Sequence, residues 1–341
     1  MIIKYFVRKK FPGFFSIEQI FTSVCLRLGQ QLGEGSGCEM DEVPFFFSPL
    51  NFIKNILYVR RHQKDINHIT GDIHYVILGC SHSRLNVLTI HDCVILGKYK
   101  TWDPRYWAFR ILWYELPMWK ADLITVISEK TRMELMEKIH FGRRKIRVVN
   151  NFVDSVFLHT PRIFNSTKPV LLFIGSTENK NLNRVLEAIK GLDCRLEIVG
   201  RISDGQLSFI RDNGLEVNLS YELSKEQVYE KYAASDIVLF PSLYEGFGML
   251  IVEANAVGRP VITSNISPMK EVAGDAAALV DPYDVNSIRA GILTVIRDDR
   301  YREGLIQKGL LNARRFDLDA VIKEYTGLYR EFGGFPGILA V

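Results

Sequence analysis

No apolar run in this chain exceeds the length of a β-strand. Runs such as Val170 to Gly175 and Ile237 to Pro241 fall far short of the ~20 residues that a membrane-spanning helix needs. The first residues carry Lys4, Arg8, Lys9 and Lys10, which break up any signal-peptide core, so a cytoplasmic protein is expected. Cysteine is scarce: Cys25, Cys38, Cys80, Cys93 and Cys194 form an odd set with no C-x-x-C pair. That excludes both a disulfide framework and a zinc knuckle. The seven histidines include no H-E-x-x-H spacing, and no Walker A sequence is present. Low-complexity segments and internal repeats are absent as well.

What is present is a balanced globular composition, 47% hydrophobic and 24% charged over 341 residues, enough for two domains. The charge is uneven: residues 1–160 hold 22 Lys and Arg against 15 Asp and Glu, and the remainder is slightly acidic. A basic first half hints at an anionic partner.

The second half alternates strand-like and helix-like segments. Strands are expected at Pro169–Gly175, Leu196–Gly200, Ile237–Pro241, Pro260–Thr263 and Ala278–Val280, with helices between them, such as the stripe Leu182, Val185, Leu186 and Ile189, Lys225–Ala234 and Met249–Val257. That rhythm predicts a doubly wound parallel sheet, an α/β fold. The first half repeats it less cleanly, with strands at Ile2–Val7, Val87–Ile90, Leu123–Ile127 and Ile146–Val149. The expected division is 1–160 for one Rossmann-like domain and 161–316 for a second. A helix at 317–332 and a tail at 333–341 follow, and Phe157 to Lys168 reads as the hinge.

The segment Glu245-Gly-Phe-Gly248-Met-Leu-Ile-Val-Glu253 lies where a strand ends and a helix begins, the place where open α/β sheets bind ligands. Gly246 and Gly248 allow close backbone approach. The N–H groups of Phe247, Gly248, Met249 and Leu250 would form a helix N-terminus suited to a diphosphate. Glu253 could accept ribose hydroxyls, and Glu245 the hydroxyls of a sugar. The alternative is a glycine-bearing turn with two solvated glutamates. Gly33-Glu-Gly-Ser-Gly37 is no dinucleotide fingerprint, because it follows a helix rather than opening one after a strand.

The spacing of Glu245 and Glu253 resembles the E-x(7)-E motif of retaining glycosyltransferases of the GT-B fold, family four. The order of surrounding segments agrees: Phe173-Ile-Gly175 with Asn179-Lys-Asn-Leu182, Ala234 to Ser242, Gly258-Arg-Pro-Val-Ile-Thr-Ser264, Glu271 to Asp275 and Leu279-Val-Asp-Pro282. The resemblance spans about residues 120 to 332 and implies two Rossmann-like domains facing across a cleft, with the last helix crossing back to the first domain. It implies transfer of a hexose from a nucleoside-diphosphate sugar to a hydroxyl of a glycan or lipid-linked glycan, with retention, in surface polysaccharide synthesis.

By the same resemblance Lys180 pairs with the donor phosphates, Gly175 borders them, and His91, in Thr89-Ile-His91-Asp92, faces the donor sugar. His91, Lys180 and Glu245 are thus the catalytic candidates. The sequence departs from the family twice. Ser176 stands where an arginine is usual, with Arg201 a candidate replacement cation, and the first loop offers only Gly13 where relatives carry a glycine pair.

No metal and no cofactor beyond the donor is expected, since the sole Asp-x-Asp is Asp317-Leu-Asp319 in the terminal helix, and no nucleic-acid partner is expected. Arg8 to Phe15, and Lys98-Tyr-Lys-Thr-Trp102 with Tyr106 and Trp107, mix cations with aromatics, which suits peripheral contact with the inner-membrane surface or a lipid-pyrophosphate acceptor, and equally suits core aromatics beside solvated charges. The alternatives on this fold are a nucleotide-sugar epimerase or hydrolase, or a degenerate nucleotide-sugar-binding scaffold.

Overall fold

The computed structural model describes residues 1–9, 16–33, 35–139 and 145–333. Two compact units make up the chain: Met1–Phe152 together with the segment from Leu318 onward, and Val153–Asp317.

The first unit holds six parallel strands: β1 (Ile2–Val7), β2 (Gly37–Glu42), β3 (Ile66–Ile69), β4 (Leu85–Ile90), β5 (Leu123–Val126) and β6 (Ile146–Val148), in spatial order β2-β1-β3-β4-β5-β6. All of β3 and β4 is buried, as expected for a parallel sheet covered on both faces. One face packs Ile69, Leu88, Ile90 and Val126 against Trp113, Tyr114 and Met118. The other packs Ile3, Tyr5 and Val87 against the helix Ser16–Gln31 and the last helix, Leu318–Gly333.

That last helix therefore belongs to the first unit. Its Tyr329 hydroxyl lies 2.7 Å from both the Tyr5 hydroxyl and His68 Nδ1, and His68 Nε2 is 2.6 Å from Thr89 Oγ1. Burial pushes the His68 pKa down to about 3, so this imidazole is a neutral structural link.

The second unit also holds six parallel strands: β7 (Val170–Ile174), β8 (Arg195–Val199), β9 (Val217–Ser220), β10 (Ile237–Phe240), β11 (Val261–Ser264) and β12 (Ala277–Val280), ordered β12-β11-β10-β7-β8-β9. The helix Leu182–Ile189 buries Leu182, Val185, Leu186 and Ile189, the stripe expected from its spacing. Ser203 and Ser224 open the next two helices with complete capping boxes.

Phe157 to Lys168 is not a free hinge. Phe157 packs edge-on against Tyr232 at 5.6 Å, and Arg162 Nε donates to Asp236 Oδ1 at 2.7 Å. Asp236, buried, also accepts the N–H of Val170, so the segment is fastened onto the second unit at the start of β7.

Candidate active site at the strand ends

In the second unit the chain leaves β7 toward β8 and later returns on the other side of β7 as β10. Loops diverge at such a switch point and leave a crevice beyond the carboxyl ends of the two strands. Gly175 ends β7 with φ 147°, and a Cβ there would lie 2.5 Å from Lys180 Cγ, so the lysine stem rests directly on this glycine. Lys180 closes a short turn, Glu178–Lys180. Its Nζ donates to Glu245 Oε1 at 2.7 Å and lies 4.9 Å from the Phe240 ring centroid.

Asparagines stitch the two loops together. Asn179 Nδ2 donates to the Tyr244 carbonyl at 2.9 Å, and its own carbonyl accepts the Leu243 N–H at 2.7 Å. Asn181, left-handed at φ 72° and buried, donates to the carbonyls of Pro241 and Pro282. The ammonium is thus held across the crevice by two framework residues whose part the sequence reading did not assign.

Of the two glycines after Glu245, Gly248 is the one in the left-handed region, at φ 112°, and it caps the helix Met249–Val257. A helix start leaves its first N–H groups without intrahelical partners, here those of Met249 and Leu250. The Phe247 ring turns inward, 5.4 Å edge-on to Phe316, and only its backbone could face the crevice.

Glu253 follows on the same helix and accepts a 2.8 Å hydrogen bond from the Tyr232 hydroxyl. Burial raises its pKa to about 7. The Tyr232 bond and the charges of Lys225 and Lys180 oppose that rise, and Asp154 adds to it.

Ser176 and Arg201 border one cavity of about 290 Å³, together with Asn181, Arg184, Gln206 and Leu243. Ser176 Oγ accepts the backbone N–H of Arg201 at 2.8 Å, tying the ends of β7 and β8. The Arg201 guanidinium pairs with Glu222 and lies 5.0 Å from the Tyr221 ring, on the exposed rim. Arg184, its Nη1 donating to Asn181 Oδ1 at 2.9 Å, is a second cation on this cavity that the sequence reading missed. Its place on the helix after Lys180 was the available signal.

His91 lies in the first unit, immediately after β4. It is buried, and its Nε2 has no hydrogen-bond partner among the described residues. Burial lowers its pKa to about 4, Asp72 opposes the shift, and His74 and Arg8 add to it. Gly13 lies outside the described residues, as do most of the Arg8–Phe15 segment and the tail. Among the described residues no group of three or more His, Cys, Asp or Glu side chains is placed to hold a metal ion. The Asp319 carboxylate of the Asp-x-Asp sequence is gripped by Arg27 at 2.6 and 2.8 Å.

Two family models match this architecture, Glycosyltransferase Family 4 over residues 28–157 and Glycosyl transferases group 1 over residues 157–311. The chain belongs to the GT-B glycosyltransferases. The chain is 30% identical over 234 residues to the O-antigen chain mannosyltransferase B of Escherichia coli, covering 62% of the chain and 61% of that relative's length. It is 28% identical to a phosphatidyl-myo-inositol mannosyltransferase of Mycobacterium leprae, with 71% and 68% covered.

Among solved structures, sucrose-phosphate synthase of Thermosynechococcus elongatus superposes with a TM-score of 0.75 at 16% identity, covering 97% of this chain and 98% of that one. Anabaena HepE, solved with UDP and glucose, gives 0.74 at 17% identity, covering 95% and 98%. These two likenesses speak for the fold.

Proposed function

We propose that this glycosyltransferase moves a hexose from a nucleoside-diphosphate sugar to a hydroxyl of a glycan or lipid-linked glycan, with retention and without a metal ion. The observation that carries the reading is the Lys180–Glu245 pair. It spans the β7/β10 switch point beside the helix start at Gly248. A diphosphate seated on the N–H groups of Met249 and Leu250 would draw Lys180 toward it, beside Glu245, which would accept sugar hydroxyls. Glu253, on the same helix, takes the ribose. The arrangement works by positioning and electrostatics, and the leaving phosphate itself would receive the acceptor proton. Thermal stabilisation by a panel of UDP- and GDP-sugars, followed by product analysis with and without acceptor, tests the reading. Stabilisation by none of them would refute it, and free sugar as the sole product would favour a hydrolase.

The acceptor-side unit offers a face for an anionic lipid surface. On the helix Pro49–His62, Leu50, Ile53 and Leu57 are 78%, 60% and 44% exposed, Phe45, Phe46 and Phe47 precede them, and Lys54, Arg60 and Arg61 flank them. Lys9 Nζ lies 5.1 Å from the Phe46 ring. Of the aromatic segment read from the sequence, Trp102 and Trp107 are exposed and Tyr106 is buried. Among the described residues no helix is long and apolar enough to cross a membrane, whereas an apolar stripe edged by cations suits lying on one. Co-flotation with phosphatidylglycerol vesicles, lost in Leu50→Glu/Ile53→Glu, is expected. Equal flotation of that variant would remove this face.

A further inference from the structure

Two of the cysteines, Cys25 and Cys38, share one place in the first unit. The helix Ser16–Gln31 buries Phe21, Val24, Cys25 and Leu28, a stripe at helical spacing that lies on the sheet. In the parallel ladder between β1 and β2, Cys38 stands opposite Ile3 and Met40 opposite Tyr5, so strand alternation turns Cys38 and Met40 to the face that this helix covers. Gly29 follows Cys25 by one helical turn, and a Cβ there would lie 3.9 Å from Cys38 Cβ, ordinary contact. The turn from Cys25 to Gly29 therefore sits directly on Cys38, and the two thiols are hydrogen-bonded to each other. Sulfurs in such contact have converging Cβ vectors, as a bridge requires.

The two sulfurs differ in access. Cys25 is buried, whereas Cys38 is half-buried on β2, the outermost strand of its sheet. The hydrogen bond from Cys38 holds the Cys25 thiol below its ordinary value against the effect of burial, and the same bond together with burial holds Cys38 above its own. One sulfur can thus ionise while the other steadies its charge. Cys80, Cys93 and Cys194 behave otherwise. Each is buried, and among the described residues no second thiol acts on any of them. Burial pushes Cys80 and Cys93 up to about 12 and Cys194 up to about 11, the mark of inert core thiols.

We propose that Cys25 and Cys38 form a reversible dithiol–disulfide pair, oxidised by low-molecular-weight disulfides, that staples the helix Ser16–Gln31 to the edge strand β2. The Cys38 sulfur, reached from the sheet edge, attacks the small disulfide, and a mixed disulfide forms as one small thiol leaves. Cys25 then attacks the Cys38 sulfur and expels the second small thiol. Two electrons pass from the protein to the small disulfide, and both thiol protons leave on the two released thiols. Excess small thiol runs the sequence backwards, so the dithiol is the resting form wherever glutathione is mostly reduced.

The test is made on the folded full chain, incubated with glutathione disulfide, then unfolded in iodoacetamide and read by intact mass and peptide mapping. The untreated chain should take an alkyl group on all five cysteines. The oxidised chain should take them only at Cys80, Cys93 and Cys194, with its own mass lower by two hydrogens, and dithiothreitol should restore the first pattern. Hydrogen exchange at the β2 amides should slow about tenfold on oxidation and recover on reduction. Cys25→Ser should stop at the mixed disulfide on Cys38, and Cys38→Ser should leave Cys25 open to alkylation. The proposal is overturned if Cys25 is still alkylated in the treated wild type, if the bridge maps to any other cysteine, or if exchange in β2 does not change. The wild-type map decides the question even where a variant does not fold.

Discussion

A carboxyl with a pKa of about 7, taking part in donor binding as proposed for Glu253, would make that binding a function of pH in the physiological range. If Glu253 accepts both ribose hydroxyls, its ionised form is the competent one. At pH 8 about nine-tenths of the population is ionised and at pH 6 about one-tenth, so affinity should drop roughly tenfold between them. The Tyr232 hydroxyl supports the ionised form, and a hydrogen bond to a charged group contributes ~1.5–3 kcal/mol. Tyr232→Phe keeps the ring packed and removes that bond, so the midpoint should climb by roughly one to two pH units. Calorimetry with an intact nucleotide-sugar is the assay, because its diphosphate does not titrate in this window, and a 2′-deoxyribose analogue should flatten the profile. Affinity that is level from pH 6 to 8, or a midpoint that falls in Tyr232→Phe, would refute the reasoning.

Stability should move in the opposite sense. The folded chain retains a proton on Glu253 that the unfolded chain releases above the ordinary value of 4.5, so stability falls as pH rises from there to about 7. Glu253→Gln escapes that loss, of order 3 kcal/mol, and should melt higher than wild type at pH 8 but not at pH 4.5, as read by calorimetric scans. Gly175→Ala should displace Lys180 and lower kcat about a hundredfold with little loss of secondary structure, measured by donor turnover and circular dichroism. Arg184→Ala and Arg201→Ala should each raise the donor KM. A larger effect at Arg184 would identify it as the cation replacing the arginine that Ser176 displaces. Gly248→Ala should cost about 1–2 kcal/mol, since φ 112° suits no side chain and the new Cβ would lie 3.2 Å from Ile251 Cδ1.

The central strands were legible because burial on both faces leaves an unbroken apolar run, as in Val170–Ile174 and Ile237–Phe240. Three strands were not. β2 (Gly-Cys-Glu-Met-Asp-Glu) and β9 (Val-Asn-Leu-Ser) are sheet edges with partly exposed, polar faces. β3 carries Asn67 and His68 into the core, where Asn86 and Tyr329 meet them from distant parts of the sequence. The site divided in the same way. Glu245, Gly248 and Glu253 share one short segment and could be read together. Tyr232, Asn179 and Asn181 reach the site through contacts that span tens of residues, and no local spacing announces those.

Because the helix Leu318–Gly333 completes the first unit, that unit is assembled from both ends of the sequence with the second unit spliced into its middle. A ribosome therefore finishes the inserted unit before the flanking one has all its parts. Until the last helix emerges, Tyr5 and His68 have no Tyr329 to meet, and the part of that sheet face not covered by the helix Ser16–Gln31 stands open to water. The nascent chain is expected to be most aggregation-prone in this interval, when the second unit is already built and the first is waiting for the sixteen-residue helix Leu318–Gly333.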